Sequence, residues 1–348
     1  MDLAVVGSGI IGSFVAHEAR RLRPDWEILV LDKGAVAGGA TTWSAGASFP
    51  IAPTSDHREL HRVSAERFAG LAGTRNEAFL RTVPMVYVLR QDRIAAFQDR
   101  VVAPLRALEP SGQDRIREYL PDLVIGADER FLTHDGEGFA VWARPLADSL
   151  LVDLIADGHL RVETGQHIGR VVREDGDYLL EAEDVTWRSR RVVLATGPWQ
   201  PPTDLLPGVD APARVKRVAA LHADLPVRVG DPLVYFVDDD LFLLPLAAGS
   251  ALVSFRSEVW DAVPDTLDGR LDDGDLRDGR AALAARSHVA AASVTGGRAF
   301  CDLYTPDRLP LVHADPALPG LAAVMGGSGS GVRLAPALAA RAVRAVMG

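Results

Sequence analysis

Leu3-Ala4-Val5-Val6-Gly7-Ser8-Gly9-Ile10-Ile11-Gly12 opens the chain and is its most informative stretch. Four apolar residues predict a short buried strand. Gly7-x-Gly9-x-x-Gly12 follows without a gap, and residues 13–22 have helical composition. Each glycine plays a distinct part. Gly7 permits the tight turn, Gly9 lets backbone approach a pyrophosphate, and Gly12 lets the helix pack on the strand. The helix start offers N–H groups and partial positive charge to phosphates. A second apolar run, Glu27-Ile28-Leu29-Val30-Leu31, ends in Asp32, twenty residues after Gly12. A carboxylate at that distance accepts hydrogen bonds from an adenosine ribose. Strand, turn, helix and acid together specify a dinucleotide-binding unit, which the glycine pattern alone would not.

The rest of the composition bounds the possibilities. A chain of 348 residues suggests two domains, at roughly 150 residues each. Hydrophobic content of 48% with 24% charged residues is that of an ordinary globular protein. A formal charge of −10 argues against a nucleic-acid partner. Lys33 and Lys216 are the only lysines, and Cys301 the only cysteine, so no internal disulfide forms. The nucleotide-binding strand begins at Leu3, which leaves no room for a signal peptide. The most apolar stretch, 318–332, is broken by glycines and is no bilayer span. The expectation is a cytoplasmic protein with no membrane partner; no metal-ligand cluster stands out.

Along the chain, residues 33–48 are rich in Gly, Ala, Ser and Thr, which suits a loop lying along a flat cofactor. Helical spacing predicts helices over 56–71, 92–108 and 279–292, and a strand over 83–90. Residues 112–139 read as a polar, irregular excursion. A helix over 145–155, with Pro145 at its start, precedes strands over 160–163, 168–173, 178–182 and 191–194. Asp175-Gly176 marks a hairpin turn. Alternation over 214–260 predicts an antiparallel sheet with one buried face. Near the end, a strand over 321–325 leads into Gly326-Gly327-Ser328-Gly329-Ser330-Gly331-Val332-Arg333-Leu334 and a closing helix over 337–346. A glycine-rich turn at each end of the chain suggests one large cofactor held from both ends.

These residues resemble the flavin-dependent D-amino-acid oxidase superfamily, which includes glycine oxidase and monomeric sarcosine oxidase. Four motifs carry the resemblance in order: Val6 to Gly12; Gly38-Gly39-Ala40-Thr41-Thr42-Trp43-Ser44-Ala45-Gly46; Ala195-Thr196-Gly197-Pro198-Trp199; and Thr305-Pro306-Asp307 with the turn at 326–333. The resemblance implies an α/β fold, with a Rossmann-type FAD-binding domain assembled from 1–82, 140–210 and 300–348. A substrate domain on a mixed or antiparallel sheet would comprise 83–139 and 211–299. Gly7, Gly9, Ile10, Ile11 and Gly12 would hold the pyrophosphate, with Asp32 and Lys33 beside the adenosine. Ala40, Thr41, Thr42, Ser44, Ala45, Gly46 and Ala47 would run toward the flavin ring. Ile168 falls where the family contacts adenine. Thr196, Gly197 and Trp199 form a second backbone contact, and Gly329, Ser330, Gly331, Val332, Arg333 and Leu334 approach the pyrimidine end of the flavin.

The chemistry implied is hydride removal from a carbon bearing an amine, delivered to flavin N5, with dioxygen as acceptor and hydrogen peroxide as product. Such a step needs positioning rather than a protein base, and no catalytic triad stands out. The pattern is also broken. Where glycine oxidase-like members carry an arginine for the substrate carboxylate, this chain has Asp302, which cannot form that bidentate pair. Arg333 stands where sarcosine oxidase-like members place a carboxylate-binding lysine. Ser48, Tyr235 and Arg256 are the other candidates for substrate contact, with Tyr304 as a wall residue. His222 and His313 read as structural. FAD is expected to be noncovalent, a link through Cys301 being the alternative. Lys216 is the only lysine placed to assist oxygen. A flavin dehydrogenase, a hydroxy-acid or unusual-metabolite oxidase, and a non-catalytic FAD-stabilised subunit remain the rival readings. Oligomeric state is open.

Overall fold

Leu3–Val6 lies inside a six-stranded sheet whose order is 311–313, 321–325, 192–194, 3–6, 28–31, 160–163. Every pairing in it is parallel except that of Leu311–His313 with Leu321–Met325. Leu3–Val6, Ile28–Leu31, Val192–Leu194 and Leu321–Met325 are buried throughout, as a parallel sheet covered on both faces requires. Helices Ile10–Leu22, Ala143–Ala156 and Gly331–Met347 close one face around Val5, Val15, Leu150 and Leu338. A small antiparallel sheet of 170–174, 177–181 and 186–189 closes the other, with Tyr178, Leu180 and Trp187 packed under Ala4 and Leu31. Asp175 and Gly176 turn its hairpin at φ 52° and 89°, the twist-matched turn expected of Asp-Gly. The structure, a computed structural model, describes residues 1–136, 138–199 and 213–348.

The glycine turn works as its sequence indicated. Gly7 has φ 105°, and a Cβ there would lie 2.3 Å from the Ala195 carbonyl oxygen. A Cβ on Gly12 would lie 1.9 Å from the Gly7 oxygen, so strand and helix approach only because both residues are glycine.

A second, eight-stranded sheet runs in the order 294–304, 214–224, 250–254, 241–247, 233–236, 85–90, 129–134, 105–107. It is antiparallel except where Leu233–Phe236 joins Met85–Arg90 in parallel, so the sheet is mixed. Helices Pro110–Tyr119, Asp273–Ala284 and His288–Ala292 belong to the core on one face, through Ile116, Leu283 and Ala290. The long strands Arg214–Asp224 and Val294–Tyr304 pair Lys216 with Asp302 and Arg217 with Cys301. Strand alternation then sends Asp302 and Cys301 to opposite faces.

Several local expectations are corrected. The helix expected over 92–108 is confined to Ile94–Gln98. Val101 instead bridges to Ile51, and Leu105–Ala107 is an edge strand, because Pro104 supplies no backbone donor. The irregular excursion over 112–139 contains helix Pro110–Tyr119 and strand Glu129–His134. Charged residues on the helix's exposed face obscure a period that Ile116 and Tyr119 carry. Residues 279–292 form two helices, with Ser287 capping the second by accepting the Ala290 N–H at 3.0 Å. The closing helix begins at Gly331, with Pro336 inside it. The boundary expected at 299/300 falls within strand Val294–Tyr304. The boundary expected at 210/211 lies outside the described residues.

Candidate active site

The two sheets share a cavity of about 480 Å³, within the usual size of small-molecule sites. Its floor is glycine-rich backbone: Gly9, Ile10 and Ile11 from the first turn, Ala40, Thr41 and Ser44 to Ala47 from the loop after Asp32, Ala195 and Gly197, and 326–333 before the closing helix. Helix Ile10–Leu22 starts with no side-chain cap and no acid in its first turn. Thr41 Oγ1 accepts the Ile10 N–H at 2.9 Å and ties the loop to that helix start. Asp32 is held beside the turn, one oxygen accepting from Ser8 N and Oγ at 2.7 Å each and the other from Gly34 N at 2.8 Å. A helix start free of acidic side chains, an adjacent fixed carboxylate and a cradle where side chains would intrude fit a dinucleotide such as FAD.

The side-chain chemistry comes from the eight-stranded sheet, which supplies the opposite wall, together with Phe49 and with Arg333 of the closing helix. Arg333, on the first turn of the closing helix, lines the cavity. Its Nη1 donates to the carbonyls of Phe49 and Ile51 at 2.9 and 2.6 Å, and its Nη2 donates to Ser330 Oγ at 2.8 Å. A guanidinium has five N–H groups, so the Nε–H and one Nη2–H remain without an acceptor among the described residues. Among the described residues no carboxylate pairs with it, and burial pushes its pKa down to about 10. Arg333 is therefore an uncompensated cation at neutral pH. Beside it, Phe49 meets Tyr235 and Phe242 with ring centroids 5.2 Å apart in each case, and all three rings line the cavity. Tyr235 is oriented by donating to Asp240 Oδ1 at 3.1 Å. Burial raises the pKa of both Tyr235 and Tyr304, so neither phenol acts as a base at neutral pH. Lys216, nearly buried, holds its ammonium 5.0 Å from the Trp260 ring and 5.3 Å from the Tyr304 ring, and burial lowers its pKa.

Of the residues singled out from sequence, Tyr235, Arg256, Asp302 and Arg333 all reach the cavity. Arg256 stands at its edge with its side chain half exposed, 3.6 Å from Asp240. Asp302 already has partners: its oxygens accept from Gly329 N at 2.7 Å and Leu303 N at 2.9 Å, and burial pushes its carboxyl up to about 6. Ser48 is corrected. It is buried opposite Phe139 in a short strand, while its neighbours Ala47 and Phe49 line the cavity. Leu334 is likewise turned into the core, with none of its surface exposed.

Gly7 and Gly12 serve the packing behind the cavity wall, and Thr196, half-buried, is absent from the lining that Ala195 and Gly197 join on either side of it. Thr42 donates to the Ala37 carbonyl at 2.6 Å. Ile168 lies two residues beyond Gln166, whose N–H donates to the Asp32 carbonyl at 2.8 Å. Lys33 pairs with Asp265 and stacks 4.2 Å over the Trp199 ring, and Trp199 Nε1 donates to the same carboxylate at 2.8 Å. Cys301 is buried on the face away from Asp302, and burial raises its thiol to about 11. Cys301 does not line the cavity, and a buried thiol held protonated is a poor nucleophile for a covalent link.

Sequence reasoning missed Phe49, Phe242 and Asp240 as wall residues. Alternation beyond Ser48 would have pointed to Phe49. Asp240 sits at φ 53°, a conformation that its turn position next to Asp239 hints at.

The sequence profile of the family described as FAD dependent oxidoreductase, DAO, matches residues 2–345. No curated protein matches the chain by sequence. Among solved structures, glycine oxidase from Geobacillus kaustophilus is similar with a TM-score of 0.81 at 19% identity, covering 99% of this chain and 94% of that one. L-proline dehydrogenase from P. horikoshii is similar at 0.80 and 18%, with 99% and 92% covered. A mutant of NikD, an unusual amino acid oxidase essential for nikkomycin biosynthesis, is similar at 0.80 and 16%, with 99% and 93% covered. At these identities the likeness is one of fold.

Proposed function

The chain belongs to the DAO family of FAD dependent oxidoreductases, and on that basis we propose that it oxidises a carbon–nitrogen bond of an amino-acid-like substrate bearing a carboxylate, with dioxygen as electron acceptor. One observation carries the reading: Arg333 presents unpaired N–H groups and an uncompensated charge to the cavity. That is the donor edge a carboxylate accepts in bidentate fashion.

When bound, FAD supplies the hydride acceptor. The chain's own residues supply placement. Arg333, fixed by two backbone carbonyls and Ser330, anchors the carboxylate. The Phe49–Tyr235–Phe242 wall receives the substrate's apolar portion, and two fixed contacts restrict its rotation. Neither tyrosine takes a proton at neutral pH, and the hydride leaves from the substrate bound as its neutral amine. Lys216 is the lysine in the cavity wall. Its positive charge favours electron transfer to dioxygen, whose reduction develops negative charge.

The test is an absorption spectrum of the purified chain before and after acid precipitation, then anaerobic mixing with a panel of amino acids and amines, and a peroxide assay in air. Flavin released to the supernatant, bleaching by a carboxylate-bearing amine, and peroxide on reoxidation are expected. Bleaching without peroxide would replace the oxidase with a dehydrogenase. Reduction by hydroxy acids alone would move the chemistry to a carbon–oxygen bond. A flavoprotein bleached by no panel member would favour the non-catalytic subunit.

A further inference from the structure

We propose that Asp302 is a positioning residue whose carboxylate fixes the glycine turn at 326–330 and makes the bound flavin harder to reduce. The turn is joined to the end of strand Val294–Tyr304 by a 3.3 Å contact between the Thr305 and Ser328 hydroxyls and by three backbone N–H bonds. Ser328 N donates to the Leu303 carbonyl at 3.0 Å, Thr305 N donates to Ser328 Oγ at 3.2 Å, and Gly329 N donates to Asp302 Oδ2 at 2.7 Å. Only the last involves a charge. The fit is close: a Cβ on Gly327 would lie 3.1 Å from Asp302 Oδ1, so a side chain there would push the carboxylate by a few tenths of an ångström.

A turn leading into a 17-residue helix offers N–H groups and partial positive charge to an anion. Here a protein carboxylate already takes the Gly329 N–H, and it does so in the wall of the flavin cavity. Part of the favourable potential at this end of the cavity is therefore cancelled before any ligand binds. Reduction of a flavin to its anionic form adds negative charge, which a carboxylate in the same partly desolvated cavity opposes. The facing charge is Lys216, the cross-strand partner of Asp302. Yet its ammonium is seated against the Trp260 and Tyr304 rings, and no cation pairs with Asp302 among the described residues. With its carboxyl near 6, Asp302 is an anion at neutral pH.

The inference rests on FAD occupying this cavity, which the absorption spectrum of the purified protein reports first. A chain that takes up no FAD removes that premise, and the proposal with it. On the holoenzyme at pH 8, the flavin midpoint potential, the dissociation constant of the sulfite adduct and the dissociation constant of FAD are measured for the wild type, Asp302→Asn and Asp302→Glu.

Asp302→Asn keeps an oxygen to accept from Gly329 and loses the charge. It is expected to shift the reduction equilibrium about tenfold toward reduced flavin, about 30 mV for a two-electron couple. Sulfite should bind about tenfold more tightly, with FAD retained. Asp302→Glu is expected to stay near the wild-type potential. A merely structural role would alter FAD affinity and leave both other readouts in place, and potential and sulfite affinity unchanged in Asp302→Asn overturn the proposal. If Asp302→Asn does not fold, Asp302→Ser is the neutral comparison against the charged Asp302→Glu, with the same outcomes deciding.

Discussion

Two cavity residues show how single side chains set this site's electrostatics. Arg333 offers a planar donor edge, whereas a lysine offers a point charge. Arg333→Lys is therefore expected to raise KM for a carboxylate substrate by about tenfold or more, from the loss of about 1.5–3 kcal/mol of charge-assisted hydrogen bonding. kcat should fall less, and steady-state kinetics with the best panel substrate checks both. A KM unchanged in that variant would place the carboxylate elsewhere. Asp302 makes a prediction about stability. Its carboxyl is raised from 3.8 to about 6 by burial, so the folded apoprotein holds a proton between those values that the unfolded chain releases. Its contribution is fully present below about pH 4 and is lost as pH rises through about 6. Tm of the apoprotein should fall with rising pH across that window, and Asp302→Asn should flatten that part of the profile.

At the scale of elements, the first strand and helix are matched by the absence of side chains. A Cβ on Gly12 would meet the Gly7 oxygen at 1.9 Å, a backbone atom that cannot move aside without shifting the turn. Gly12→Ala is expected to cost about 3 kcal/mol or more and to leave the protein without flavin. Denaturant unfolding and the ratio of flavin to protein absorbance check it. This element was legible because its geometry depends on residue types a few positions apart. Helix Pro110–Tyr119 was not. Its charged outer face hid the two buried residues, Ile116 and Tyr119, whose burial depends on a sheet assembled from strands as distant as residue 299. Helix Gly331–Met347 was legible only after Pro336, from residue 337, since a proline inside a helix argues locally against it.

At the scale of the molecule, the two sheets are joined across the cofactor loop. Asp265 receives both Lys33 and the Trp199 indole N–H, while the Gly269 backbone lies against the Trp43 ring and Arg298 Nη2 donates to the Ser44 carbonyl at 3.1 Å. The acidic segment after Trp260 thus clasps the loop expected along FAD. Lys33 and Asp265 are partly exposed, so the ion pair is modest and screened by salt. Asp265→Ala is expected to speed FAD release a few-fold and to remove most of its acceleration by salt. Flavin fluorescence after dilution measures this, and an unchanged rate would mean that the clasp does not retain cofactor.

Read from residues alone, the chain already specified the dinucleotide-binding unit, the glycine-rich turns at both ends and an antiparallel second sheet, which one parallel pairing makes mixed in the fold. Those features follow from glycine spacing, apolar runs and strand alternation, all of which are local. The backbone contacts expected along the cofactor came through the resemblance. Arg333, Tyr235, Arg256 and Asp302 also came into consideration there, through the resemblance and their places in the chain. What each could do depended on the folded arrangement. Asp302 is tied to Gly329, Ser48 and Leu334 face away from the cavity, Cys301 lies on the far side of its strand, and Phe49 stands between Arg333 and the aromatic wall. Partners and burial are set by contacts between residues far apart in the chain, 284 positions in the Arg333–Phe49 hydrogen bond, and no local pattern encodes them.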